Sequence, residues 1–324
     1  MVGSFSRRTL LAATFAHAQP KLKLADIRVR DPFILADGKT YYLYAQMGNR
    51  LPNEDPRRGV EVYRSQDLEN WEVPTPVLEL SADFWARDAV WAPEVHRYRG
   101  RYYLFVTFTG GPLGGDPPKG LPPMLQRGTQ ILHSDSPLGP FRPFANRAHT
   151  PANWMALDGT LFVERGNPYM VFCHEWLQID DGTMELMPLK KDLSAPDGDP
   201  MTLFKATDAT WGRGLRTTEG RRHGWVTDGP FLHRTKSGKL LMIWSSFGAE
   251  GYTLAVAESA SGKIAGPWCL QPEPIFRKDG GHGMIFRTFG GELMLTLHQP
   301  NKGQLERAKL FRLSDEGDTL KLNP

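Results

Sequence analysis

Apolar and polar residues alternate along most of this chain. The clearest runs are Thr40-Tyr41-Tyr42-Leu43-Tyr44, Arg101-Tyr102-Tyr103-Leu104-Phe105-Val106, Pro168-Tyr169-Met170-Val171-Phe172 and Lys239-Leu240-Leu241-Met242-Ile243-Trp244. Aromatic and aliphatic residues at a period of two, bounded by Gly, Asp and Asn turns, read as half-buried strands. Amphipathic helical patterns of useful length are nearly absent. The pattern predicts an all-β protein.

The strands recur in a fixed order: an acidic or polar motif, an apolar strand, a Gly turn, a second apolar strand, then a strand with one polar face. Five units fit. They open at Asp31-Pro32-Phe33-Ile34, Trp91-Ala92-Pro93-Glu94, Leu157-Asp158-Gly159-Thr160, Thr227-Asp228-Gly229-Pro230 and Gly281-His282-Gly283-Met284. Ser-led, turn-rich segments ending in an aromatic close three of them, at Ser65–Trp71, Ser134–Phe141 and Ser259–Trp268. A spacing of about sixty residues suits one propeller blade with its loop, so the expected architecture is a single five-bladed β-propeller over residues 21–324. A β-sandwich gives no reason for the polar motif to recur before each first strand. The Pro/Gly-rich stretch from Gly110 to Pro123 reads as a loop at a cleft rim.

Composition narrows the partners. The formal charge is +3 and no long Lys/Arg run occurs, which argues against nucleic acid. No apolar stretch is long enough to span a membrane. Residues 1–20 contain Arg7-Arg8, a short apolar run and Ala16-His17-Ala18, the form of a twin-arginine export signal, so an exported protein is expected. Cys173 and Cys269 sit in or near apolar runs and read as buried free thiols, with a single disulfide left open by export.

In a propeller the first strands converge on one axis. The repeat therefore directs Asp31, Glu94, Asp158, Asp228 and His282 into one pocket. Clustered carboxylates cannot all ionise cheaply, and repulsion and burial drive their pKa values apart. That is the condition for acid/base cleavage of a glycosidic bond. Gly-rich phosphate loops with Lys, and His pairs at metal-ligand spacing, are absent. Trp85, Trp91, Trp154, Trp176 and Trp225 flank the motifs, and one or two are expected to stack on a sugar ring.

The ordered set Arg30-Asp31-Pro32, Trp91-Ala92-Pro93-Glu94, Leu157-Asp158-Gly159 and Gly281-His282-Gly283 resembles glycoside hydrolase family 43, over roughly residues 25–313. The resemblance implies an inverting glycosidase acting on plant-type polysaccharide or oligosaccharide, with arabinofuranoside first, and xyloside or galactofuranoside after it. It implies Asp31 as the general base and Asp158 as the residue that tunes the acid. It also implies that His282 holds an axial ion, commonly calcium, through or beside waters, and no organic cofactor.

The acid is left open. The family's fourth-blade Glu-Gly-Pro is Asp228-Gly229-Pro230 here, and Asp is shorter in reach by about 1.5 Å. Glu175, in Cys173-His174-Glu175-Trp176, ends the second strand of unit three and returns to the same face. Either Glu175 or Asp228 can serve as the acid, and the other would bind a sugar hydroxyl. Glu94, Trp91, His174 and Trp176 are the expected substrate-binding residues. A carbohydrate-binding propeller that has lost its acid is the competing function, and an interaction scaffold a weaker third.

Overall fold

A computed structural model describes residues 21–48, 57–114, 123–216 and 222–323. It is a five-bladed β-propeller of antiparallel sheets. The inner strands are Phe33–Asp37, Ala89–Tyr98, Ala156–Glu164, Asp228–Arg234 and Gly281–Arg287, one for each of blades I to V. They contact one another in ring order about the axis. The second strands are Thr40–Gln46, Arg101–Pro112, Asn167–His174, Leu240–Gly248 and Leu293–Gln299. Residues 1–20, with the expected export signal, lie outside the described residues, as does most of the Gly110–Pro123 stretch.

The alternation in the sequence becomes packing between blades. Leu43, Val62, Leu104 and Leu132 are fully or almost fully buried on shared faces, and Trp244 of blade IV packs against Phe204 of blade III. The Ser-led segments wedge their closing aromatics inward. Trp71 and Phe141 join one core cluster and Trp268 another. Ser65 Oγ accepts the amides of Asp67 and Leu68, fixing the first of these turns.

Among the described residues blade V is built from the C-terminal strands, and no strand is shared between blades V and I. The ring closes through the segment before blade I. Arg28 bridges the backbone of Arg307, Arg307 Nε donates to Ala25 O at 2.9 Å, and Arg30 Nη1 pairs with Glu306 Oε1 at 2.7 Å.

Each inner strand has a left-handed residue at or near its start. These are Asp31 (φ 52°), Ala92 (44°), Asp158 (58°), Gly229 (52°) and His282 (49°). In blades II to V the register slips at this point, as in a β-bulge. The kink takes the residue's amide out of the ladder, and a side chain of the preceding blade receives it. Asp158 N–H donates to Thr107 Oγ1 (2.9 Å), His282 N–H to Ser245 Oγ (2.8 Å) and Asp31 N–H to His298 Nδ1 (3.2 Å). Thr107, Ser245 and His298 hold the same place, opposite the residue before their own blade's kink. In blade III that place belongs to Cys173, a weak acceptor, and the Gly229 amide goes to Asp158 Oδ2 instead, at 3.1 Å.

Cys173 is buried as expected, whereas Cys269 is exposed, and both are free thiols. Cys269 lies on the outermost strand Trp268–Leu270, where a single residue shift in parity turns a side chain to solvent.

Gly229 tests the kink. A Cβ there would lie 2.7 Å from the His282 ring, in a backbone conformation that L side chains resist by about 1–2 kcal/mol. Gly229→Ala is expected to lower Tm by several degrees and to displace His282, with a matching loss of turnover. A Tm and rate equal to the parent's in thermal melts and steady-state assays would show that the kink is not constrained.

Candidate active site

A cavity of about 420 Å³ on one face of the ring is lined by the kink residues Asp31, Asp158 and His282 and by the residues just before the kinks in blades I to IV, Arg30, Trp91, Leu157 and Asp228. Its polar lining is Arg30, Asp31, Asp158, Glu175, Asp228 and His282. Trp91, Trp176, Leu215, Val226 and Phe247 are among its apolar walls. The size suits a sugar unit with its neighbours.

Asp31 lies beside three nitrogen-bearing side chains. Its Oδ1 is 3.2 Å from His282 Nδ1 and 3.3 Å from His298 Nδ1, and its Oδ2 is 3.7 Å from Arg30 Nε. Burial alone would raise its pKa. The charges of His282 and Arg30 and the His298 contact outweigh burial and hold the carboxyl well below the usual range. Arg30 is itself kept charged: burial opposes the charge, but Asp31, Tyr252, Glu306 and Asp228 more than compensate.

Asp158 and Asp228 are driven the other way. Burial, then the negative charge of Asp31, pushes Asp158 well above the carboxylate range, against the opposing Gly229 amide. Burial and the nearby Asp158 push Asp228 well up, although His282, Arg30 and the Tyr252 hydroxyl oppose this. Tyr252 donates to Asp228 Oδ2 at 3.0 Å. One member of the group is thus held ionised while its neighbours favour the protonated form.

Glu175 enters from the end of blade III. It directly follows the strand Asn167–His174 and precedes the single helical turn Trp176–Ile179, and its amide donates to Met155 O at 2.8 Å. Burial raises its pKa, and the paired Arg127 guanidinium reduces that rise without cancelling it.

Two expected binding residues stand elsewhere. Glu94 is buried but outside the cavity lining, with Oε2 2.9 Å from His96 Nε2. The physical reason is the kink: in blade II it falls on Ala92, so Trp91 borders the cavity and Glu94 lies further along the strand. His174 is also outside the lining; it stacks on Trp154 at 4.1 Å and bonds Gln178 Oε1 at 2.8 Å. Of the five flanking tryptophans, Trp91 and Trp176 line the cavity. Four residues carry weight that sequence reasoning did not assign: Arg30, Arg127, Tyr252 and His298. Arg30 stood inside a quoted motif. His298 could have been found from the position shared by Thr107, Ser245 and His298, but Arg127 and Tyr252 carry no motif.

The sequence matches the model of glycosyl hydrolases family 43 over residues 24–315. The chain belongs to that family. The crystal structure of an endo-arabinase from Bacteroides thetaiotaomicron VPI-5482 is 40% identical, with a TM-score of 0.80, over 92% of this chain and 99% of that one. An extracellular endo-alpha-(1->5)-L-arabinanase 1 of Bacillus subtilis (strain 168) is 26% identical over 180 residues. That match covers 52% of this chain and spans about half, 49%, of the relative. An extracellular exo-alpha-(1->5)-L-arabinofuranosidase of Cellvibrio japonicus (strain Ueda107) is 21% identical over 328 residues, 90% of this chain and 85% of that enzyme.

The axial ion suggested for family 43 is a matter of donor chemistry here. Calcium takes six to eight oxygen ligands. His282 offers an imidazole whose Nδ1 already faces Asp31 and Asp158, at 3.2 and 3.6 Å. Among the described residues no group of three or more His, Cys, Asp or Glu side chains is placed to hold a metal. The side chains among the described residues do not form a direct ligand set for a hard cation. Dialysis against EDTA is therefore expected to leave the Tm and the turnover rate unchanged, measured by calorimetry and aryl-glycoside assay. A fall in Tm restored by calcium alone would show an ion held through water.

Proposed function

We propose that this protein is an exported, inverting glycosidase that cleaves arabinofuranoside linkages in plant-type polysaccharide or oligosaccharide. The observation that carries the reading is electrostatic: Asp31 and Glu175 line one cavity, the first held ionised and the second held towards its protonated form. Similarity to an endo-arabinase structure at 40% identity supports the sugar class, and two relatives with extracellular names support export.

Asp31 is the base and Glu175 the acid. A water in the cavity loses a proton to Asp31 while its oxygen bonds to the anomeric carbon. The glycosidic C–O bond breaks, and the departing oxygen takes the Glu175 proton. Asp228 is the weaker candidate for the acid, because it shares Arg30, His282 and Tyr252 with Asp31 and so sits in the base's own surroundings. A direct displacement by water needs acid and base on opposite sides of the sugar. Asp228 then serves as a hydroxyl-binding residue, and Asp158 tunes its neighbours. Trp91 and Trp176 supply apolar ring faces for the sugar.

Asp31→Asn is expected to lower kcat by about 10²–10⁴-fold while ligand affinity is retained. Retention of more than about a tenth of the rate would remove the base assignment.

Glu175→Gln is expected to nearly stop cleavage of natural linkages and to be mild on aryl arabinofuranosides, whose leaving groups depart without a proton. Asp228→Asn should slow both substrates alike. The reverse pattern would give the acid role to Asp228. Activity should be lost as pH rises through the Glu175 pKa, because the acid must hold its proton. NMR of the first-formed product should show the inverted anomer; a retained anomer would refute the mechanism. No turnover of any aryl glycoside would favour a binding protein.

A further inference from the structure

Arg127 lies behind the cavity wall. It is 7% exposed and belongs to the strand Leu125–Ser134 of blade II. A buried guanidinium has to be paired, and this one is paired in three directions. Its Nη1 donates to Glu175 Oε2. Its Nε donates to Thr109 Oγ1 at 3.0 Å. Its face covers the Trp91 ring, with Cζ 4.3 Å from the centroid. The backbone anchors the same contact: Arg127 bridges Met155 in parallel, and the Glu175 amide donates to Met155 O.

Trp91 and Glu175 both line the cavity, but they come from blades II and III and share no strand. The guanidinium is the group that connects them. A planar fork can stack by its face and pair by its edge at once, and an ammonium cannot. We propose that Arg127 is a positioning residue that fixes the sugar platform Trp91 and the acid Glu175 relative to each other, so that a sugar resting on the indole presents its departing oxygen to the carboxyl. This rests on the reading of Glu175 as the acid. Arg127 also limits how far burial raises Glu175, since its charge acts against burial. The guanidinium therefore sets where on the pH scale the proton is lost.

The test compares Arg127→Met and Arg127→Lys with the parent enzyme. kcat/KM is followed against pH with a linear arabino-oligosaccharide and with 4-nitrophenyl α-L-arabinofuranoside. In Arg127→Met the alkaline limb should move up by about one pH unit or more, the effect of removing an adjacent opposite charge. In Arg127→Lys the limb should stay near the parent's, because the charge remains. In both, the oligosaccharide rate at the optimum should fall about tenfold or more, and the nitrophenyl rate less than about threefold, since only the former needs a placed proton. An unmoved limb in a folded Arg127→Met would overturn the proposal. If that variant does not fold, Arg127→Lys decides through the substrates: a selective loss on the oligosaccharide supports the proposal, and equal losses on both overturn it. Glu175→Gln on the parent background is read separately. If it lacks leaving-group dependence, the acid assignment fails. If it shows that dependence while the Arg127 variants do not respond, only the positioning role fails.

Discussion

The structure turns on the left-handed residue near the start of every inner strand. A kink at that point bends the chain out of the ladder and turns a side chain across the mouth of the axis. It also leaves an amide without a strand partner, and a buried amide cannot be left unpaired. The preceding blade supplies the acceptor: Thr107 for Asp158, Ser245 for His282 and His298 for Asp31. Asp31, Asp158 and His282 are thus each tied to the blade before. The same bonds that hold the ring together hold the polar cluster in place, which is why Asp and His, tolerant of the left-handed region, stand at these positions.

Burial supplies the electrostatics. A carboxyl out of water favours its neutral form, and it stays charged only where cations are close. The closure between blades V and I brings the Arg30 guanidinium, braced by Glu306, and the imidazoles of His282 and His298 against Asp31. Burial and the resulting negative charge push Asp158 up, and burial and Asp158 in turn push Asp228 up. The closure contacts therefore do more than join the ends of the ring, because they make one carboxylate of the group different from the rest.

Blade III departs from the other blades in two connected ways. Its second strand carries Cys173 where blades II, IV and V carry a hydroxyl or imidazole, and Asp158 takes over the Gly229 amide. Beyond its end, that strand delivers Glu175 into the cavity. A carboxylate with longer reach is thus present at blade III, while blade IV offers the shorter Asp228. The two differ in surroundings: Glu175 is paired with an arginine across a blade boundary, and Asp228 is embedded beside Asp31 and Asp158.

The sequence by itself determined the strands, their grouping into five units and the face on which the polar motifs collect. Alternation is a local property, and a repeat places like residues alike. That was enough to bring Asp31, Asp158, Asp228 and His282 to one cavity, and to see that the strand ending at His174 returns Glu175 to it. What the tertiary structure alone decided was parity and partnership. In blade II the kink falls on Ala92, which puts Trp91 at the cavity and Glu94 two residues further along the strand. Arg127, Tyr252 and His298 stand on second and third strands with no motif. They matter because the packed ring presses them against Glu175, Asp228 and Asp31, and for Arg127 and Tyr252 no local pattern announces the contact.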